Sequence, residues 1–423
     1  MIAVGTYISK FQKKGKHLST YLMASMIPMI LSMVCNPFVA KNMSPTDYAI
    51  TGYYLSFNSL LFPFVSFYLI NYYTKRYFEF DDERRKSVRS TIFKMLIFFS
   101  LFMFFVALAG VYIYTVFFNK DSQLPFMPYA LMAILPLPLS GIFSLTLVDF
   151  RMSRDSKQFF NYSVTKGLLS TALLVLFVVA FKWGAFGSLG SSLLVTVLFF
   201  IIIFCQNKDL WKIPFDMDMA KESIVFCWPL VVAAMLNFFS NGYDKVILER
   251  TGDVAMLGIY SVGFSIANHL NVFSSSINDT FQPDIYENIV KRNFPRCAKF
   301  VAIKLALMAS VVGLFVLCAP FLVKILTYGR YVASTPFCQI LSLASISSMM
   351  YYSMSQVTIA LGYTSITLSN KIIGSVLSIL SFSILIPAYG AYGAAWGAVL
   401  SYFYFFVGNV AMVVVKYKMT RKT

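Results

Sequence analysis

Charge is the scarcest commodity in this chain. Only 13% of its 423 residues are charged, against roughly 25% in a soluble domain, which excludes an ordinary globular fold. Histidine is nearly absent, with only His17 and His269. The sequence has no Gly-x4-Gly-Lys-Ser/Thr phosphate loop, no His-Glu-x-x-His and no Gly-x-Gly-x-x-Gly opening a helix. Nucleotide-driven work and zinc hydrolysis by those motifs are therefore not expected. The six cysteines (Cys35, Cys205, Cys227, Cys297, Cys318, Cys338) stand singly with no Cys-x-x-Cys, as small packing residues do. Long hydrophilic segments are missing too. A membrane enzyme would be expected to carry acidic residues in a sizeable outer loop, so a non-enzyme is expected.

What is present is apolar. Hydrophobic residues make up 58% of the chain, in runs too long for barrel strands of about 9–11 residues and suited to helices of about 20. The pattern predicts twelve spans, near 18–40, 48–70, 92–118, 126–148, 161–181, 185–205, 222–243, 257–281, 300–327, 336–361, 366–387 and 391–415. The first run is longer than a signal-peptide core and lacks an Ala-x-Ala site, so it reads as the first membrane helix. The net charge of +17 sits in short clusters between runs, the habit of cytoplasmic loops and not of nucleic-acid binding. With an inner N-terminus, 24 of the 35 Lys and Arg residues fall on inner segments, seven on outer ones and four within spans. That bias predicts both termini cytoplasmic.

The chain also echoes itself. Asp47-x-Ala49-x-x-Gly52-x-Tyr54 returns 206 residues later as Asp253-x-Ala255-x-x-Gly258-x-Tyr260, and Gly184-Ala185-Phe186-Gly187 returns at the same offset as Gly390-Ala391-Tyr392-Gly393. A looser echo pairs Pro28 and Asn36 with Pro229 and Asn237. Six spans per half is an even number, so the halves share one orientation. The expected fold is an all-α polytopic membrane protein: twelve transmembrane helices in two parallel six-helix repeats. The expected divisions are an N-terminal half (1–205), a cytoplasmic linker (206–221) and a C-terminal half (222–423). A duplicated hydrophobic chain of this kind is the usual build of a transporter.

Polar groups at membrane depth must face protein or a water-filled cavity. Span 7 ends Asn237, Ser240, Asn241, Asp244, spaced for one helical face. Span 8 carries Ser261, Ser265, Asn268, Ser275 and Asp279, with His269, Asn271 and Asn278 adjoining; span 10 has Ser345, Ser348, Tyr352 and Gln356; span 1 has Ser25, Ser32 and Asn36, and span 2 has Ser56, Ser59 and Ser66. Such residues glue helices together or line a polar cavity, and their density on spans 7 and 8 favours a cavity. The candidate substrate-binding residues are Asp244, Lys245, Asn237, Asn241, Asn36, Asn268 and Lys304. Asp244 and His269 are candidate ion-coupling residues, His269 because its ordinary pKa suits proton transfer. Snorkelling to the headgroups is expected for Lys94, Lys166 and Lys371; for Lys304 a basic lining is weighed equally. No cofactor and no metal are expected. The drive would come from an ion gradient, protons or sodium, from the membrane potential or from the substrate's own gradient.

Asp244-Lys245-x-Ile247, followed by Gly258-x-Tyr260-Ser261, resembles the polysaccharide flippases of the Wzx type, within the multidrug/oligosaccharidyl-lipid/polysaccharide exporter superfamily. The Tyr389-Gly390-Ala391-Tyr392-Gly393 turn is similar to that family's last hairpin, and Lys245 departs from it where arginine is common. The resemblance implies transfer of an undecaprenyl-pyrophosphate-linked oligosaccharide, such as an O-antigen unit of lipopolysaccharide, to the outer leaflet of the bacterial cell inner membrane by alternating access. It implies the lipid bilayer and the polysaccharide polymerase machinery as partners. An ion-coupled multidrug or metabolite exporter of the same superfamily is the alternative, and a major-facilitator transporter ranks behind both.

Overall fold

The computed structural model describes residues 20, 23, 24, 26–77, 79–119, 122–361 and 363–420. The basic residues Lys10, Lys13, Lys14, Lys16, Lys120, Arg421 and Lys422, and His17, lie outside them. The described residues form helices and contain no strand. In chain order these are α1 (26–42), α2 (Pro45–Ser56), α3 (Asn58–Ser66), α4 (Leu69–Arg76), α5 (Asp82–Ile113), α6 (Tyr129–Ile134), α7 (Pro136–Met152), α8 (Ser156–Val175) and α9 (Gly184–Gln206). There follow α10 (Met217–Met235), α11 (Phe238–Asn241), α12 (Tyr243–Glu249), α13 (Val254–Ala267), α14 (Leu270–Val290), α15 (Phe294–Leu326), α16 (Thr335–Ala360) and α17 (Thr364–Thr420).

Eight helical stretches among the described residues are long and apolar enough to cross a membrane, or nine if the α2–α3 segment and α4, bent by 56°, count as one span. The expected spans divide differently for local reasons. Span 2 bends where Phe67 and Tyr68 take positive φ. Span 8 is split at Asn268–His269 into α13 and α14. The last two expected spans run together as α17, which departs from helical geometry at Gly390 (φ 56°, ψ −133°).

The Gly-Ala-aromatic-Gly echoes have one structural job. Gly184 (φ 50°) and Gly390 (φ 56°) both adopt the left-handed conformation that glycine tolerates best. Three residues on, a Cβ at Gly187 would sit 3.1 Å from backbone atoms of Phe177, and one at Gly393 would sit 2.0 Å from the Leu385 carbonyl oxygen. Each motif reverses the chain and presses the next helix on the last.

Contacts group the chain into two compact units. The first holds α1, Leu61–Phe118 and Pro125–Val232; the second holds Ser44–Leu60, Asn119–Leu124 and everything from Ala233. Two of the boundaries between these units fall inside α3 and α10, and residues 206–221 lie within the first unit. The reason is visible in the linker's bonds. Ser90 Oγ donates to the Leu210 carbonyl at 2.7 Å, Arg89 Nη2 to Asn207 Oδ1 at 3.0 Å, and Lys94 Nζ to the Ile213 carbonyl, all from α5. The segment is therefore bound along α5 as part of the first unit.

The same unit contains two long-range ion pairs. Asp149 accepts from Tyr73 and lies 2.9 Å from Arg89 Nη1; Glu222 accepts from Tyr72 Oη at 2.8 Å and pairs with Arg76. The expected snorkelling lysines find protein partners instead. Lys94 is only 8% exposed, and Lys166 Nζ lies 3.8 Å from the Phe143 ring centroid. In the second unit, Lys371 Nζ donates to the Ala233 carbonyl and to Asn237 Oδ1, both at 3.0 Å. A buried acceptor close by satisfies an ammonium without the long reach to a headgroup.

In the second unit α13 packs on α2 and on α16. The repeated Asp-x-Ala-x-x-Gly-x-Tyr motif supplies the α2–α13 contact from both sides. A Cβ at Gly52 would lie 2.2 Å from Ser261 Oγ, and one at Gly258 would lie 1.9 Å from the Pro45 carbonyl oxygen. Contact advances along both helices together, so they run in the same sense. Small residues allow this approach where lipid supplies no hydrophobic drive between helices. The two aspartates start their helices in different registers. Asp47 completes a capping box with Ser44, whereas Asp253 is itself the N-cap, accepting from Met256 N at 2.8 Å.

Candidate functional site

The site begins with a broken helix. After α10 the chain makes the single turn of α11, then restarts as α12 beyond Gly242 (φ −146°, ψ −29°). A side chain at Gly242 would meet the Ser56 carbonyl oxygen at 2.6 Å. The break rotates α12 relative to α11, so the four polar residues predicted to share one face do not. Asn237 accepts from Lys371, and Asn241 Oδ1 accepts from Tyr402 Oη at 2.7 Å, so both meet α17. Asp244 meets α13 instead, accepting from Tyr260 Oη at 2.5 Å.

Asp244 and Lys245 are sealed. They are 1% and 2% exposed, with Lys245 Nζ 3.6 Å from Asp244 Oδ2 and 3.3 Å from the centroid of the Phe264 ring. Neither Asp244 Oδ1 nor Lys245 Nζ has a hydrogen-bond partner among the described residues. The ammonium is balanced by the carboxylate and the face of the ring. Four residues along α12 from Lys245, buried Glu249 takes Asn119 Nδ2 and Ser122 Oγ, each at 2.6 Å. These bonds fix residues 119–124 to the second unit.

A different polar surface lies beside the pair. A cavity of about 50 Å³ is lined by Ser240 and Asn241 of α11, Asn268 and Asn271 at the α13–α14 break, Ser345 and Ser348 of α16, and Tyr402 of α17, with Phe264 completing one wall. No charged side chain lines it. Ser265, Asn268, Asn271 and Ser275 of span 8 recur at helical spacing and are all exposed, whereas Ser261, expected on the same stripe, is buried. In an apolar chain, an exposed stripe of amides and hydroxyls faces water or a polar ligand. Phe264 serves both regions, since it lines the cavity and carries Lys245 on its ring.

The structure therefore gathers Asn241 and Asn268 at one cavity, links Lys245 and its partner Asp244 to it only through Phe264, and holds Asn237 against Lys371. His269 is half-buried at the α13–α14 break and is not part of the cavity lining. Lys304 is fully buried on α15 and donates to Gln356 Oε1 on α16 at 2.9 Å. Asn36 belongs to the first unit, half-buried on α1. Sequence reasoning missed Tyr402 and Glu249. Aromatic residues are 17% of the chain, and nothing in the linear pattern separates Tyr402 from the rest; only its contact with Asn241 does. Among the described residues no group of His, Cys, Asp or Glu is arranged to hold a metal ion.

The described residues thus form an all-helical protein with eight or nine stretches able to cross a membrane and a buried polar site in its second unit. The sequence model of the family described as "Polysaccharide biosynthesis protein" matches residues 38–287, more than half the chain, and the chain belongs to that family. No curated protein matches it. Among solved structures, an inward-facing multidrug resistance MATE transporter of the MOP superfamily superposes with TM-score 0.71 at 12% identity, covering 95% of this chain and 99% of its own. The lipid II flippase MurJ, in an inward closed conformation, gives 0.69 at 13% identity, with 93% and 87% covered. An outward-facing multidrug MATE transporter gives 0.62 at 13%, with 93% and 94% covered. At such identities these likenesses establish the fold.

Proposed function

We propose that this protein is a flippase. It carries oligosaccharide units linked by pyrophosphate to undecaprenol from the inner to the outer leaflet of the bacterial cytoplasmic membrane, destined for a surface polysaccharide such as O-antigen. The observation that carries this reading is the exposed stripe of amides and hydroxyls on α13 and α14, opening on a polar cavity in a member of a polysaccharide biosynthesis family. A glycan crossing a membrane needs such a surface, because its hydroxyls must exchange water for protein partners. MurJ, a lipid II flippase by name, is a precedent for lipid-linked cargo on this fold. The reading includes twelve spans in two parallel six-helix repeats with both termini cytoplasmic, and alternating access between them. Asn241 and Asn268 contact the cargo. Asp244 and Lys245 couple its movement to a proton or sodium gradient, with His269 as a further proton carrier and Lys304, Asn237 and Asn36 on the path. The polymerase machinery receives the product.

Deletion of the gene tests this. Surface polysaccharide should be lost while undecaprenyl-linked repeat units accumulate on the inner side. Normal surface glycan in the deletion strain would overturn it. A second reading, export of drugs or metabolites, rests on the multidrug MATE structures with which the chain superposes. The uncharged cavity weighs against it, since organic cations are ordinarily met by carboxylates. Thermal stabilisation of the purified protein by organic cations, and not by lipid-linked sugars, would favour that second reading.

A further inference from the structure

We infer that the cavity between α11, α13, α14, α16 and α17 is a subsite for an uncharged sugar residue of the cargo, separate from whatever meets its pyrophosphate. The inference rests on the flippase reading and specifies which part of the cargo sits where.

Three observations point the same way. The lining is wholly uncharged, so it offers no counter-ion to a phosphate or a uronic acid; bringing either to it would desolvate an anion without a partner. Lys245, whose ammonium lies over the Phe264 ring that also lines the cavity, is 2% exposed and paired with Asp244. Second, the groups present suit hydroxyl recognition. A carboxamide offers one acceptor and two donors in a plane, which matches vicinal sugar hydroxyls, and Asn241, Asn268 and Asn271 bring three of them to one cavity. Tyr402 adds an aromatic ring beside them, and its hydroxyl holds Asn241 Oδ1 at 2.7 Å, which leaves the amide nitrogen of Asn241 with only a long 3.4 Å contact to the Asn237 carbonyl. Third, Ser240 lines the cavity, is 3% exposed, and its hydroxyl has no hydrogen-bond partner among the described residues. A buried polar atom of that kind is costly unless a ligand or water completes it. The enclosed volume of about 50 Å³ exceeds what one water needs by several-fold. It admits the hydroxyl-bearing edge of one ring, with the remainder of the glycan in the open mouth.

Saturation-transfer NMR on the full-length protein in lipid nanodiscs tests this, because it reads weak sugar contacts directly. The probes are glucose, galactose, mannose and N-acetylglucosamine, with glucuronic acid and inorganic pyrophosphate in parallel. At least one neutral sugar should receive saturation, and its affinity should fall at least tenfold in Asn268→Ala/Asn271→Ala, whose positions are exposed and carry little folding cost. Glucuronic acid and pyrophosphate should show no loss from that double variant. The inference is overturned if no neutral sugar is contacted, if the double variant binds as the wild type does, or if glucuronic acid is the preferred probe. Loss of surface polysaccharide on gene deletion alongside any of those results would leave the flippase reading standing and remove only the subsite. Neutral-sugar binding with normal polysaccharide in the deletion strain would do the reverse.

Discussion

Within the second unit, two polar regions share one aromatic ring, and the fold treats them in opposite ways. Asp244 and Lys245 are an ion pair shut away, with Tyr260, Phe264 and the α2–α13 contact closed over them. The cavity that Phe264 also lines has no charged side chain in its lining and is open. Charged groups tolerate burial only when paired. Neutral amides left exposed keep donors and acceptors for a ligand. The pair thus suits a structural or coupling role, and the cavity suits contact with cargo.

The largest expected effect breaks the pair. Asp244→Ala leaves an ammonium buried without its counter-charge and should cost about 3–5 kcal/mol of stability, seen as a lower unfolding midpoint in detergent. Replacing both members, as Asp244→Leu with Lys245→Met, should recover most of that loss, since well-packed apolar groups often match a buried ion pair. If the double variant is as unstable as Asp244→Ala, the pair's charge balance is not what the interior requires. Next comes the seal itself. Gly258→Ala sets a methyl against the Pro45 carbonyl oxygen, a backbone atom that cannot swing aside, and should cost about 3 kcal/mol. Gly313→Ala, where nothing lies within 4 Å of the new carbon, is the control and should leave the midpoint unchanged or slightly raised.

A smaller effect is expected from Lys371→Met. It removes two charge-assisted hydrogen bonds at the end of α10, to the Ala233 carbonyl and Asn237 Oδ1, and should cost about 2 kcal/mol. Limited proteolysis or hydrogen exchange across 233–242 should show the break loosened. Unchanged protection there would mean that the α10–α11 geometry is set by Gly242 and Pro229 alone.

How much of this was legible beforehand follows from which features are local. The Gly-Ala-aromatic-Gly echoes announced two reversals, because a positive φ and a close backbone contact both demand glycine. The membrane class followed from hydropathy, and the polar stripe from the spacing of Ser265, Asn268, Asn271 and Ser275. The grouping of Asn237, Ser240, Asn241 and Asp244 on one face was illegible because it assumed an unbroken helix, and Gly242 turns α12 away. The lysines were misplaced for a related reason: snorkelling is a default for a lone helix, while Lys94 and Lys371 meet carbonyl oxygens contributed from 119 and 138 residues away. The division into units was hidden because residues 44–60 and 119–124 pack with a part of the chain far from them in sequence.

The smallest effect on stability bears most on function. Asn268 is exposed, and its side-chain oxygen accepts from Asn271 within the same stripe, so Asn268→Ala should change stability by no more than about 0.5 kcal/mol. If the open cavity is the cargo surface, this nearly silent substitution should lower surface polysaccharide several-fold in a strain that depends on the protein, whereas the costly Lys371→Met should lower it only in proportion to the amount of protein folded. Quantifying surface glycan against membrane-inserted protein for both variants separates contact with cargo from support of the fold. Equal glycan per folded molecule in Asn268→Ala and wild type would mean that the exposed stripe is solvated scaffold. The search for cargo contacts would then move back to the sealed pair, which would have to open during transport.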